Sequence, residues 1–171
     1  MKKTLCIATA FLGSFLHASA QNLPKAQGYL LFAPGAGSDI FGGDNGRATI
    51  HIAGGGEGFI YKGLGVGAEI GPLMPWSAPR GGSTFGNYRL VGLGSANLSY
   101  HFLTGTADRT LEPFVMAGYS VFFRMGSSQG YNVGVGTNVW LKKSVAMRFD
   151  VRYHSSWRYK NMGVGMGVTF R

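Results

Sequence analysis

From Met162 to Phe170, large apolar residues (Met162, Val164, Met166, Val168, Phe170) alternate without a miss with small ones (Gly163, Gly165, Gly167, Thr169). A repeat of two is the pleat of a β-strand, which sends successive side chains to opposite faces. The same period recurs upstream. One stretch sets Val145, Met147, Phe149, Val151 and Tyr153 against Ala146, Arg148, Asp150, Arg152 and His154. A second sets Tyr131, Val133, Val135, Val139 and Leu141 against Asn132, Gly134, Gly136, Asn138 and Lys142, and a third sets Leu64, Val66, Ala68 and Ile70 against Gly65, Gly67, Glu69 and Gly71. In all, the pattern predicts eight strands, at 27–35, 47–61, 63–71, 88–103, 111–124, 130–142, 144–154 and 160–171. No stretch carries a sustained helical period with caps. Tight connections (62–63, 105–110, 142–144) take turns with longer ones rich in Gly, Ser and Pro (36–46, 72–87, 125–129, 155–159). That is the spacing of an all-β, antiparallel up-and-down barrel. Two strands are less regular. Gly54-Gly55-Gly56 interrupts the apolar stripe of the second, and Val91 with Leu93 falls on the polar parity of the fourth, which predicts a bulge or kink in each.

The N-terminus gives the compartment. Lys2 and Lys3 precede an apolar run from Leu5 to Leu16 and then Ala18-Ser19-Ala20. A charged start, a short apolar run and an A-x-A site form a secretory signal peptide, and the run is too short for a spanning helix. Cleavage is expected before Gln21, leaving residues 21–171 as a single domain. Cys6 lies within the apolar run without lipobox residues, so the mature chain has no cysteine for a disulfide or a thiolate metal site. Taking Lys2 and Lys3 from the 16 basic residues leaves 14 against 7 acidic ones, a formal charge of +7. An exported chain does not meet nucleic acid, so anionic lipopolysaccharide or phospholipid headgroups are the expected partners. Glycine is abundant (29 of 171) but has no three-residue period, which excludes collagen.

Alternation alone does not say which face is inside. The acidic residues do. Asp39, Asp44 and Asp108 fall in connections, whereas Glu57, Glu69, Glu112 and Asp150 all sit at polar-face positions of strands. A soluble barrel would fill that face with Lys and Glu. Here it is mostly Gly, Ser, Asn and Thr with a few charges of both signs, which suits the narrow interior of an eight-stranded barrel. The polar face is therefore placed inside and the apolar face against lipid, where a closed barrel satisfies every backbone hydrogen bond. Aromatic residues near predicted strand ends (Tyr29, Tyr61, Tyr88, Tyr100, Phe102, Tyr119, Phe123, Tyr131, Tyr153, Phe170) read as interfacial girdles.

On these features the chain resembles the small eight-stranded outer-membrane β-barrels, the OmpA-like or outer membrane protein β-barrel type. The resemblance covers the whole mature chain. It rests on 62–69 (KGLGVGAE), 117–120 (AGYS), 132–136 (NVGVG) and the closing strand. It implies a Gram-negative outer-membrane location and a C-terminal signal x-x-Gly-x-x-Φ-x-Φ read by the barrel-assembly machinery. Gly165, Val168 and Phe170 match that signal, with Arg171 following the aromatic.

The expected function is a non-enzymatic, monomeric barrel acting through its loops. Arg47, Glu57, Glu69, Glu112, Arg148, Asp150 and Arg152 share the inward parity and are expected to form a salt-bridged, largely closed lumen. Trp76, Arg80 and Phe85 are the candidate loop contacts. Two alternatives stand beside this. His154-Ser155-Ser156 is similar to the His-x-Ser of outer-membrane lipid A deacylases, with His154 as base and Ser156 as nucleophile. A narrow pore for small solutes is the other. No histidine or carboxylate cluster has metal-ligand spacing, His51 and His101 show no partner pattern, and no glycine-rich turn opens a helix. Neither a metal nor a cofactor is therefore expected.

Overall fold

The computed structural model describes residues 26–38, 47–76, 91–102, 110–123 and 127–171. They form eight strands: β1 (Ala26–Ser38), β2 (Arg47–Tyr61), β3 (Leu64–Pro75), β4 (Val91–His101), β5 (Leu111–Phe123), β6 (Ser128–Lys142), β7 (Val145–Ser156) and β8 (Lys160–Phe170). Each pairs antiparallel with its neighbour in sequence, and β8 returns to β1 from Gly28↔Phe170 to Ser38↔Lys160, closing the cylinder. Every strand has 11 to 15 residues, enough to cross a hydrocarbon core when tilted. The expected signal peptide at 1–20 lies outside the described residues.

The ends of several strands differ from the sequence expectation. β1 continues to Ser38, β3 to Pro75 and β7 to Ser156, all through residues read as loop. Their composition looks like a connection, yet Gly37 pairs with Arg47, Thr49 with Pro75 and Ser156 with Gly130. Register also runs unbroken through Gly54–Gly56 and along β4, so neither strand is bulged where the sequence predicted. The register shifts fall elsewhere, at Phe59/Tyr61 in β2 and at Trp140/Lys142 in β6, each just before a tight hairpin. In the β2–β3 hairpin Lys62 (φ 32°) and Gly63 (φ 89°) occupy left-handed backbone, the geometry that lets a two-residue turn follow the strand twist.

The two faces separate as the alternation requires. Leu30 (61% exposed), Ile70 (63%), Val135 (56%) and Val164 (56%) stand on the outer surface, with Ile52, Val66, Leu98, Met147, Phe149 and Met166. A continuous exposed apolar belt of this extent is far beyond what a water-soluble surface carries, and lipid is the solvent that it fits. Inside lie Glu57, Glu69, Glu112, Asp150, Arg148 and Arg152, all buried.

The inner face is not wholly polar, however. Leu73, Val91, Leu93, Phe122 and Tyr159 form a buried cluster at the end carrying the long loops. Val91 and Leu93 thus keep the regular parity and point inward, where packing against Leu73 and Phe122 replaces the kink predicted for them. Tyr29 is a second correction. It sits inside with Leu31, Ala33 and Ala53, not in an outer girdle. Tyr61, Tyr119, Phe123, Tyr131 and Phe170 do lie outside, and Tyr88 is outside the described residues.

Candidate functional site: a charged lumen

Strand β7 supplies the centre of the lumen. Period two places Arg148, Asp150 and Arg152 in one inward row, so both guanidinium groups reach the carboxylate between them. Arg148 Nε donates to Asp150 Oδ2 at 3.1 Å, and Arg152 NH2 donates to the same oxygen at 2.7 Å. Arg152 NH1 continues across the barrel to Glu69 Oε2 on β3 at 2.5 Å. The Arg148 guanidinium lies between the rings of Tyr29 and Phe114, 4.2 Å from each centroid. It is fully buried, and such a cation is tolerable only because carboxylates and aromatic faces surround it.

Toward the hairpin end the chain of charges continues. Arg148 NH1 stands 3.8 Å from Glu57 Oε1. Glu57 also accepts from Gln27 Nε2 at 2.5 Å and from the Ser99 hydroxyl. His101 bridges two carboxylates, with Nε2 3.2 Å from Glu57 and Nδ1 2.7 Å from Glu112. An imidazolium donates from both nitrogens, so that form answers both oxygens at once. Among the described residues, that form sets four cationic groups (Arg148, Arg152, His101 and, at the rim, Arg171) against four carboxylates. His101 stacks on Phe114 at 5.2 Å. Glu112 accepts further from Asn138 Nδ2 at 3.2 Å, Trp140 Nε1 at 2.9 Å and Arg171 NH2 at 3.4 Å. Arg171, which follows the terminal aromatic, lies 3.4 Å over the Trp140 ring and caps this end.

Toward the loop end the lumen turns neutral. Ser120 Oγ and His154 Nδ1 are 3.0 Å apart, Asn132 Nδ2 donates to Ser120 at 2.9 Å, and Ser95 meets Ser120 at 2.9 Å. His51 stands edge-on to His154 with centroids 6.2 Å apart. Thr49 donates to Asn161 at 2.8 Å, and above these lies the apolar cluster of Leu73, Val91, Leu93, Phe122 and Tyr159.

Six of the seven charged residues expected from the sequence therefore join one network, and the side chain of the seventh, Arg47, lies outside the described residues. The sequence reading missed His51 and His101. Both stood at inward parity, which was the available signal; a lone histidine carries no spacing pattern of its own. Lys142 was placed on the inner face, but the register shift that follows Trp140, which itself keeps the regular inward parity, leaves Lys142 exposed. The hydrolase pair is not assembled. Ser156 Oγ accepts from the Tyr159 amide at 2.8 Å and from Ser128 at 3.0 Å, a turn-closing role, while His154 engages Ser120. Among the described residues no group of three or more histidine, cysteine or carboxylate side chains is arranged to hold a metal.

Of the residues expected to form an assembly signal, Val168 and Phe170 face outward and Gly165 inward, where an added Cβ would press on Asp150 Oδ1 and on Leu31 Cδ1 at 2.9 Å. Trp76 is exposed at the end of β3, its amide donating to the Ala48 carbonyl at 2.9 Å; Arg80 and Phe85 lie outside the described residues.

An eight-stranded closed barrel with an apolar exterior and a charged, packed interior defines the class of transmembrane β-barrels. Comparison with solved structures agrees. Neisserial surface protein A shares 14% identity at a TM-score of 0.67, covering 86% of this chain and 97% of that one. The N-terminal barrel of Pseudomonas aeruginosa OprF shares 15% at 0.57, covering 85% and 96%. Ail of Yersinia pestis, solved with the heparin analogue sucrose octasulfate, shares 10% at 0.56, covering 85% and 96%. The chain thus has the fold of the small eight-stranded outer-membrane barrels. No protein-family model and no curated protein sequence matches it.

Proposed function

We propose that this chain is a non-enzymatic outer-membrane barrel that acts through its loop-end surface while its lumen stays shut. The single observation that carries the reading is the unbroken column from Glu69 through Arg152, Asp150, Arg148, Glu57 and His101 to Glu112, topped by an apolar cluster. A lumen filled in this way has little room for a water column. In this reading residues 1–20 are removed on export. The barrel-assembly machinery reads Gly165, Val168 and Phe170, and the mature barrel is a monomer. The loop end, where Trp76, Trp157, Arg158 and Lys160 are exposed, meets anionic groups such as lipopolysaccharide phosphates, with Arg80 and Phe85 as further candidate contacts from the sequence. The polysulfated sugar bound to Ail is a ligand of the same charge class.

Planar-bilayer recording of the purified chain tests this directly. The wild type is expected to be electrically silent, and well-resolved conductance steps would instead establish the narrow pore. A second expectation separates the barrel from a hydrolase. Lipid A from cells expressing the wild type or Ser156→Ala should show the same acyl pattern by mass spectrometry, since Ser156 closes a turn. Loss of an acyl chain only with the wild type would reverse that conclusion.

A further inference from the structure

We propose that the two bulged hairpins at the turn end of the barrel, 59–64 and 140–145, each seat the phosphate of an anionic phospholipid in the adjoining leaflet.

Charge on this molecule is sorted with unusual strictness. All four described carboxylates (Glu57, Glu69, Glu112, Asp150) are inside the lumen. Among the described residues the exposed charged side chains are Lys62, Lys142, Lys143, Arg158, Lys160 and Arg171, every one a cation. They lie at the two rims, with the apolar belt between them. The outer surface therefore offers anionic headgroups attraction on both sides and no opposing acidic side chain among the described residues.

At the turn end the two hairpins share one construction. A register shift precedes each turn, at Phe59/Tyr61 and at Trp140/Lys142. Just before the shift, regular parity places an aromatic residue on the inner side: Phe59 stands edge-on to His101 at 5.0 Å, and Trp140 donates to Glu112 at 2.9 Å. On the outer side the shift releases Tyr61-Lys62 and Leu141-Lys142-Lys143 to the surface. Each lysine group then stands at the polar edge of an apolar ledge. Ile60 and Tyr61 are both 65% exposed beneath Lys62, whose ammonium lies 5.2 Å over the Tyr61 ring. Leu141 and Phe170 form the corresponding ledge below Lys142 and Lys143. Arg171 is adjacent, its amide donating to the Ser144 carbonyl at 3.1 Å, but its guanidinium is drawn onto Trp140 and Glu112, so Lys142 and Lys143 carry the outward charge.

This arrangement matches an amphiphile with one phosphate. A lysine laid along an apolar surface keeps its ammonium at headgroup depth while the stem and ledge meet acyl chain. The hairpin end is also the end at which β1 begins and β8 ends, opposite the long loops. The inference rests on the membrane reading above and specifies the chemistry of the leaflet on the short-turn side.

The test uses the full mature chain in phosphatidylcholine nanodiscs, with the association of spin-labelled phosphatidylglycerol measured against spin-labelled phosphatidylcholine. The wild type should prefer the anionic lipid. Lys62→Gln, Lys142→Gln and Lys143→Gln combined should lower that preference, by about fivefold at the Lys62 seat, the effect of one cation near a charged surface, and by more at the seat of Lys142 and Lys143. The corresponding Lys→Arg variant should keep it, and Arg158→Gln with Lys160→Gln should remove only the part due to the loop-end rim. A preference that the triple Gln variant leaves undiminished, or that the loop-end variant abolishes, overturns the proposal. Failure of the wild type to enter nanodiscs at all would instead refute the membrane reading on which it rests.

Discussion

Replacing Arg148 with alanine is expected to cost about 3–5 kcal/mol of barrel stability, because it leaves buried carboxylates without their cation. Arg148 is fully buried, donates to Asp150 at 3.1 Å, stands 3.8 Å from Glu57 and fills the gap between Tyr29 and Phe114. Truncation removes the charge and opens a space in the middle of the lumen. Urea titration of the chain folded in lipid vesicles, followed by the loss of the heat-modifiable band, measures the change. Arg148→Lys should recover only part of it, since an ammonium makes neither the planar contact with two rings nor the directed bond to Asp150. An Arg148→Ala barrel as stable as the wild type would show that the charges are hydrated separately and do not form a plug. The same variant should pass small ions in planar-bilayer recordings if the column is what closes the lumen.

The second large effect is predicted on the closing strand, where the sequence presents equivalent glycines. An added Cβ at Gly167 would be driven into the Leu30 carbonyl oxygen and stand 3.1 Å from Leu31 Cα, both backbone of the paired strand β1. At Gly163 the nearest atoms, the Pro34 carbonyl oxygen at 3.5 Å and Ala33 Cβ at 3.6 Å, are at ordinary contact distance. Gly167→Ala should therefore cost about 1–3 kcal/mol or block closure of β8 on β1, whereas Gly163→Ala should be neutral or mildly stabilising. Folding yield into vesicles, scored by gel mobility, distinguishes the two. Equal yields would mean that the β1–β8 seam is looser than its register implies.

The contrast between these glycines marks how much was legible in the sequence. Period two gave the eight strands, the closing partner of β8 and the inward parity of Glu57, Glu69, Glu112, Arg148, Asp150 and Arg152, because a closed sheet leaves parity almost no freedom. Parity does not identify partners. Nothing in the spacing of His101 announced that it would lie between Glu57 and Glu112, since those residues come from three different strands. Tyr29 was misassigned because both faces of β1 are apolar, with Leu30 and Phe32 outside and Leu31 and Ala33 inside. Val91 and Leu93 suggested a kink only on the assumption of a wholly polar lumen. The structure instead uses them to build the cluster above the histidines. The hairpin bulges were invisible for a related reason. A shift of one residue leaves no trace in composition, yet it moves Lys142 from the lumen to the rim.

Together these features describe a barrel in which polar and apolar solvents have changed places, with charges paired internally and lipid met by aliphatic side chains. Gel migration of the chain in isolated outer membranes, unboiled and boiled, tests that description most directly. A closed barrel of this kind should partition with the outer membrane and run as a compact band that shifts on boiling. A chain that stays in the periplasm, or whose mobility is the same before and after heating, would contradict it.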